Sequence, residues 1–157
     1  MKTILFVCTG NTCRSSMAEA LFKSMIYDLG EKAKDIKVLS AGTFAIPGQK
    51  ASKNAIEVMK ERNIDLEGHI STPLTKELVE ESDLILTMTR NHKEQILNAL
   101  PEVKEKVYTL KEFVEDATGF DISDPFGQDI EVYRKCADEI EEALKKALNK
   151  IIEDGNE

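Results

Sequence analysis

Cys8 and Arg14 enclose five residues, Thr9-Gly10-Asn11-Thr12-Cys13, and Ser15 follows directly. The stretch begins where a short apolar run, Ile4-Leu5-Phe6-Val7, stops, and it ends where a helical pattern starts. A strand-to-helix turn of this kind gathers backbone N–H groups around an anion, and the helix adds its positive end. The Arg14 guanidinium is a planar fork that meets two oxygens of a phosphoryl group at once, which lysine cannot reproduce. A thiol at the floor of such a cradle is stabilised as thiolate and becomes a nucleophile. Taken alone, Cys8 would read as a small hydrophobe at a strand end. In this company it predicts attack on phosphorus, a thiophosphate (phosphocysteine) intermediate, and release by water. Neither step needs a metal or cofactor if the donors already match the trigonal transition state.

Transfer of a phosphoryl group also needs a proton donor for the leaving atom. Asp124, in Ser123-Asp124-Pro125-Phe126-Gly127, is the candidate, and Asp121 in the same loop competes with it. Thr9, Gly10, Asn11, Thr12 and Cys13 are the expected substrate-binding residues of the turn, with Gly10 and Asn11 as the types that accept left-handed backbone. Ser15 is expected to hydrogen-bond the Cys8 thiolate. Ser15 or Ser16 is expected to cap the helix, and Ser16 with Glu19 has capping-box spacing. Cys13 either fills space behind the cradle or traps oxidised Cys8 as a disulfide. Cys136 is expected to pack against the core. His92, in a polar helical segment, reads as a surface residue.

The elements that must position these residues alternate between strand and helix. Lys2–Val7, Lys37–Ala41, Leu84–Met88 and Val107–Leu110 read as strands. Helices are predicted from Ser15 to about Leu29, over Ala51–Arg62, Thr75–Glu81 and Asn91–Leu100, and from about Asp129 to Ile152. The last carries Ile130, Tyr133, Ile140, Leu144, Leu148 and Ile151 on one face. Pro101 stops the fourth helix. Thr118–Gln128 is a loop rich in Asp, Gly and Pro. Such alternation implies an α/β three-layer sandwich, a four-stranded parallel sheet with helices on both faces. Ligands of these sheets lie beyond the carboxyl ends of the strands. Cys8 and the Asp124 loop both fall at that edge.

Length and composition narrow the class further. A chain of 157 residues is expected to form one domain, residues 1–157. Its 41% hydrophobic and 32% charged residues are ordinary for a globular protein, and no apolar run could span a membrane. A formal charge of −8 makes nucleic acid and anionic membrane poor partners. Three cysteines and two histidines without clustered spacing predict neither a secreted disulfide framework nor a metal site. A cytoplasmic location follows as the expectation.

Cys8 to Ser15, Ser40-Ala41-Gly42-Thr43 and Asp124-Pro125 resemble the low-molecular-weight protein tyrosine phosphatases. The resemblance covers essentially the whole chain. It implies Cys8 as nucleophile, Arg14 as phosphate ligand and Asp124 as general acid. It also implies that Ser15, Ser40 and His69 hold Asn11 in a strained conformation, with Ser40 and His69 as scaffold. Its implied partners are phosphorylated proteins or peptides, and its product is inorganic phosphate. The chain departs from the family pattern at Thr12, where an aliphatic residue is common, and after Pro125, where Phe126-Gly127 lacks a second aromatic. Ser16 stands where proline is usual, which a helix start tolerates. Thr12 and Phe126 resemble the protein arginine phosphatase branch, in which the threonine is associated with selecting phosphoarginine. A hydroxyl can pair with the flat, polar guanidinium, or with the attacking water, where an aliphatic would leave N–H groups unpaired. Phe126 could pack on substrate methylenes or stack on the guanidinium. A tyrosine phosphatase is the alternative. An arsenate reductase on the same fold ranks low, because that chemistry needs further cysteines and Thr72 to Leu110 contains none.

Overall fold

A computed structural model describes residues 2–155. Four strands, β1 (Lys2–Cys8), β2 (Ile36–Gly42), β3 (Leu84–Thr87) and β4 (Val107–Thr109), form one sheet in the order β2-β1-β3-β4. Every pairing is parallel. Parallel strands need long crossovers, and helices supply them. These are α1 (Arg14–Leu29), α2 (Lys53–Glu61), α3 (Lys76–Glu81), α4 (Arg90–Ala99), α5 (Leu110–Phe113) and α6 (Ile130–Gly155).

The continuous apolar run of β1 has a direct cause. β1 lies between β2 and β3 and is covered on both faces. Ile4 and Phe6 point into one core with Met17, Phe22, Val58 and Ile140. Leu5 and Val7 point into the other with Val79, Ile85 and Ile96. The first core lies under α1, α2, α5 and α6, and the second under α3 and α4, so the layers are helix, sheet, helix. Phe6 and Phe22 meet edge to face at 5.5 Å within the larger core.

The expected strands and main helices are present, with ends shifted by at most three residues. Short 3-10 turns at Gly30–Ala33 and Pro101–Lys106, and α5, were not expected. α5 begins on a capping box: Thr109 Oγ1 accepts from the Glu112 N–H, and the Glu112 carboxylate accepts from the Thr109 N–H. The cap expected on α1 is absent. Its N-cap is Cys13, with no side-chain cap. Ser16 Oγ instead donates to the Cys13 carbonyl at 2.8 Å, and Glu19 faces Ser40. The first N–H groups of α1 are therefore left for whatever lies in the turn.

Candidate active site

The order in which strands are added reverses at β1, because β2 packs on one side of it and β3 on the other while all strands stay parallel. This is the point where parallel α/β sheets bind ligands. Cys8 ends β1 there, opposite Gly42 at the end of β2. The loop between Cys8 and Arg14 hangs on its neighbours through backbone bonds. Thr43 N–H donates to the Cys8 carbonyl, Phe44 N–H to that of Thr9 and Ser52 N–H to that of Thr12, each at 2.9 Å. Gly42 permits this approach. A Cβ on it would lie 2.3 Å from the Thr9 oxygen and 3.0 Å from the Asn11 nitrogen.

Asn11 is the one loop residue with positive φ, 58°, and its side chain is fully buried. Four groups hold it. Its Nδ2 donates to Ser15 Oγ at 2.8 Å and to Ser40 Oγ at 2.9 Å. Its Oδ1 accepts from the Thr72 N–H at 2.9 Å, and its carbonyl accepts from His69 Nε2 at 2.7 Å. Ser40 Oγ in turn donates to Glu19 Oε1 at 2.5 Å. Ser15, Ser40 and His69, the residues expected around Asn11, each hydrogen-bond it, and Thr72 and, through Ser40, Glu19 belong to the same network. Gly10 is different from expectation. Its φ is not positive, and an added Cβ would meet only Thr12 Oγ1, at 3.6 Å. Left-handed backbone is needed at Asn11 alone.

Cys8 Sγ lies 2.8 Å from Ser15 Oγ. The Ser15 oxygen already accepts from Asn11, so its hydrogen is free to point at the sulfur. Burial pushes the Cys8 thiol above its ordinary value. The Ser15 hydroxyl and amide, the Arg14 guanidinium and the Asn11 amide pull it down. The thiolate expected from the loop is thus opposed by desolvation, and these donors and the uncapped end of α1 are what favour it. Cys13 is a free, buried thiol that donates to Ser52 Oγ at 3.3 Å and sits 3.4 Å from the Tyr133 hydroxyl.

Arg14 is buried and reaches under the Asp124 loop. Its Nη1 donates to the Ile122 carbonyl at 2.8 Å, and Nη2 lies 3.6 Å from Asp124 Oδ2. Ile122, itself fully buried, anchors that loop and donates its N–H to the Met88 carbonyl. Asp124 accepts the Phe126 N–H on Oδ1 at 3.0 Å and leaves its other oxygen toward the cradle. Asp121 faces elsewhere: its Oδ1 accepts the Arg90 N–H at 2.8 Å at the start of α4. Cys136 packs as expected, with burial pushing its thiol up to about 12.

His92 is not on the surface. It is 3% exposed, with Nε2 2.9 Å from Thr9 Oγ1 and Nδ1 2.9 Å from Thr89 Oγ1. Burial, then the nearby Arg14 charge, brings it down to about 4, against the pull of Asp121 and Asp124. It therefore braces the loop as a neutral ring. Polar neighbours in sequence hid it. The usable signal was Thr89, a helix-cap residue just past β3, which places the first turn of α4 at the ligand edge.

The cavity over Cys8 measures about 260 Å³. Thr9, Gly10, Thr12, Cys13, Arg14 and Asp124 line it, and Phe44, Ile46, Gln49 and Phe126 form the rest of its wall. Phe44, Ile46 and Phe126 are 75%, 62% and 69% exposed, so the mouth is apolar and open. An uncapped helix start, a buried arginine fork and a thiol beneath them define a cysteine-dependent phosphatase site.

The chain belongs to the family described as low molecular weight phosphotyrosine protein phosphatase, whose model matches residues 3–157. It is 47% identical to a protein-arginine-phosphatase of Bacillus subtilis, over 96% of this chain and 97% of that one. It is 39% identical to a low molecular weight protein-tyrosine-phosphatase PtpB of Staphylococcus haemolyticus, covering 87% and 91%. A solved YwlE arginine phosphatase, a cysteine-to-serine mutant with a phosphorylated active-site serine, superposes with a TM-score of 0.88 at 46% identity and covers 95% of each chain. Among the described residues no helix is long and apolar enough to cross a membrane.

Proposed function

We propose that the chain, as one domain over residues 1–157, is a protein arginine phosphatase. The observation that carries this reading is Thr12. It lines the cavity over Cys8, where a hydroxyl can pair with the flat, polar guanidinium of a phosphoarginine, in a chain nearly half identical to a protein-arginine-phosphatase. Cys8 Sγ attacks phosphorus in line with the P–N bond. Backbone N–H groups of the loop and the Arg14 fork hold the equatorial oxygens, matching the spread charge of the transition state. Asp124 protonates the departing guanidine nitrogen as that bond breaks. Its carboxylate then takes a proton from water, which attacks the thiophosphate. Inorganic phosphate leaves, and the electron pair of the P–S bond returns to Cys8 as thiolate. Ser15, through its hydroxyl on Cys8, stabilises that leaving sulfur. Phe126 and Thr9 shape the rim, while Ser40 and His69 hold Asn11.

A tyrosine phosphatase is the second reading. The apolar rim of Phe44, Ile46 and Phe126 would accept an aromatic ring, and the relative from Staphylococcus haemolyticus is named for that activity. Matched peptides separate the two. kcat/KM is measured for one peptide carrying phosphoarginine or phosphotyrosine, in the wild type and in Thr12→Ile. A phosphoarginine preference that collapses in the variant supports the first reading. A phosphotyrosine preference unmoved by the substitution establishes the second.

A further inference from the structure

The junction between β3 and α4, Met88 to His92, grips both halves of the site without lining its cavity. Met88 N–H donates to the Val7 carbonyl at 2.9 Å, next to Cys8, and the Met88 carbonyl accepts from the Ile122 N–H at 2.8 Å. Arg90 N–H donates to Asp121 Oδ1 at 2.8 Å, and the Arg90 guanidinium lies 4.0 Å from the centre of the Phe120 ring. His92 Nε2 stands 2.9 Å from Thr9 Oγ1. Hydrogen-bond partners also fix the protons around His92. Thr89 Oγ1 caps α4 by accepting the His92 N–H at 3.2 Å. Its own hydrogen then meets Nδ1, 2.9 Å away. The neutral ring therefore carries its proton on Nε2 and donates it to Thr9 Oγ1. Thr87 Oγ1 holds the cap in turn, donating to the Thr89 carbonyl at 2.8 Å.

We propose that this junction sets the separation between the cysteine loop and the general acid, with His92 the positioning residue for Thr9 and its loop, and Asp121 the positioning residue for Asp124. The proposal rests on the reading of Asp124 as the acid. Asp124 does not fix itself: its side chain is half exposed, and its ion pair with Arg14 is long, at 3.6 Å. Three residues earlier, Asp121 is tied to a helix start that also holds the floor of the cradle. Such a tie matters because Asp124 serves twice at one phosphorus, first on the leaving nitrogen and then on the attacking water. Displacements of about 1 Å cost up to ~10²-fold in rate even when they originate away from the chemistry.

Two readouts test this, and neither depends on how much of a variant is folded. One is the ratio of kcat/KM on a phosphoarginine peptide to that on p-nitrophenyl phosphate, whose leaving group departs with little help from an acid. The other is the Ki of inorganic phosphate, which reports the cradle. Asp121→Ala is expected to lower the ratio about tenfold and leave Ki within about twofold. Asp121→Asn, which keeps an oxygen for the Arg90 N–H, is expected to restore the ratio. His92→Phe, which keeps a ring but no hydrogen bonds, is expected to raise Ki about tenfold and leave the ratio within about twofold. Thr9→Val breaks the same bond from an exposed position and is expected to match it, with no further effect when the two are combined. This pair decides the point even if His92→Phe does not fold, since Thr9→Val is then compared with His92→Gln, which is expected to keep a near-normal Ki. An unchanged Ki in Thr9→Val, or a ratio that stays at the wild-type value in Asp121→Ala, would overturn the proposal. So would an Asp121→Asn variant as impaired as Asp121→Ala. An unchanged ratio in Asp124→Asn would overturn the acid reading and the Asp121 half with it, while Ki still decides the His92 half. If only a phosphotyrosine peptide turns over, the arginine reading fails separately and that peptide takes the same place in the ratio.

Discussion

Acidification should destabilise this protein through a single buried ring. His92 is held neutral, its value brought from 6.5 to about 4 chiefly by burial and then by the Arg14 charge. In the unfolded chain the same side chain titrates near ~6.5. Between those two values the unfolded state binds a proton that the folded state refuses. Stability is therefore fully present above about pH 6.5 and is lost as the pH falls toward about 4. At about 1.4 kcal/mol per pH unit, the full window is worth roughly 3 kcal/mol, an upper bound for a ring that water can partly reach when the loop breathes. That is a large part of the stability of an ordinary domain. Carboxylates titrate in the same window, so the informative quantity is a difference. Urea unfolding of the wild type and of His92→Gln is followed from pH 7 to 4. The variant, which keeps an amide for Thr9 and Thr89, is expected to lose stability less steeply, by up to one proton's slope. NMR gives the direct check, since the chain has only two histidines. The His92 ring signals should hold their neutral shift down to about pH 5. A midpoint near pH 6.5, or parallel stability profiles for the two proteins, would refute this reasoning.

Three further outcomes are expected. Ser15→Ala removes the hydroxyl on Cys8 Sγ and should move the pH profile of Cys8 alkylation to higher pH, because the thiolate loses a donor; mass spectrometry of the modified peptide follows it. Asp124→Asn should slow hydrolysis of phosphoarginine by ~10²–10⁴-fold, and an activated aryl phosphate by less. Asp121→Asn should instead act mainly on stability, and the opposite pattern in steady-state rates would reassign the acid. Gly42→Ala drives a methyl into the Thr9 carbonyl and should cost ~1–3 kcal/mol in chemical denaturation, as overpacking against backbone cannot be relieved by a rotamer change.

Much of the site is legible in the sequence. Cys8, Arg14 and Ser15 lie within eight residues of one another, so a turn between one strand and one helix brings them together. Local spacing brings the three together, and distant groups such as Ser40, His69 and Thr72 then fix the loop through Asn11. The parallel α/β sandwich was equally legible, because a strand buried on both faces must be apolar throughout, and Ile4 to Val7 is. Tertiary structure decided what depends on distant segments. Asp124 and Asp121 are the same residue type in one loop, and only the packing of Ile122 into the core turns one toward Arg14 and the other toward Arg90. His92 reads as polar surface in a chain and becomes a buried brace because α4 starts at the carboxyl edge of β3. Glu19 looks like half of a helix cap until β2 brings Ser40 beside it. Gly42 matters through the carbonyl of Thr9, some thirty residues away in sequence, and not through its own backbone angles. Sequence carries short-range geometry and burial periodicity. Which polar groups meet across the fold is set by packing, since many partners are chemically equivalent and only one arrangement leaves the buried ones satisfied.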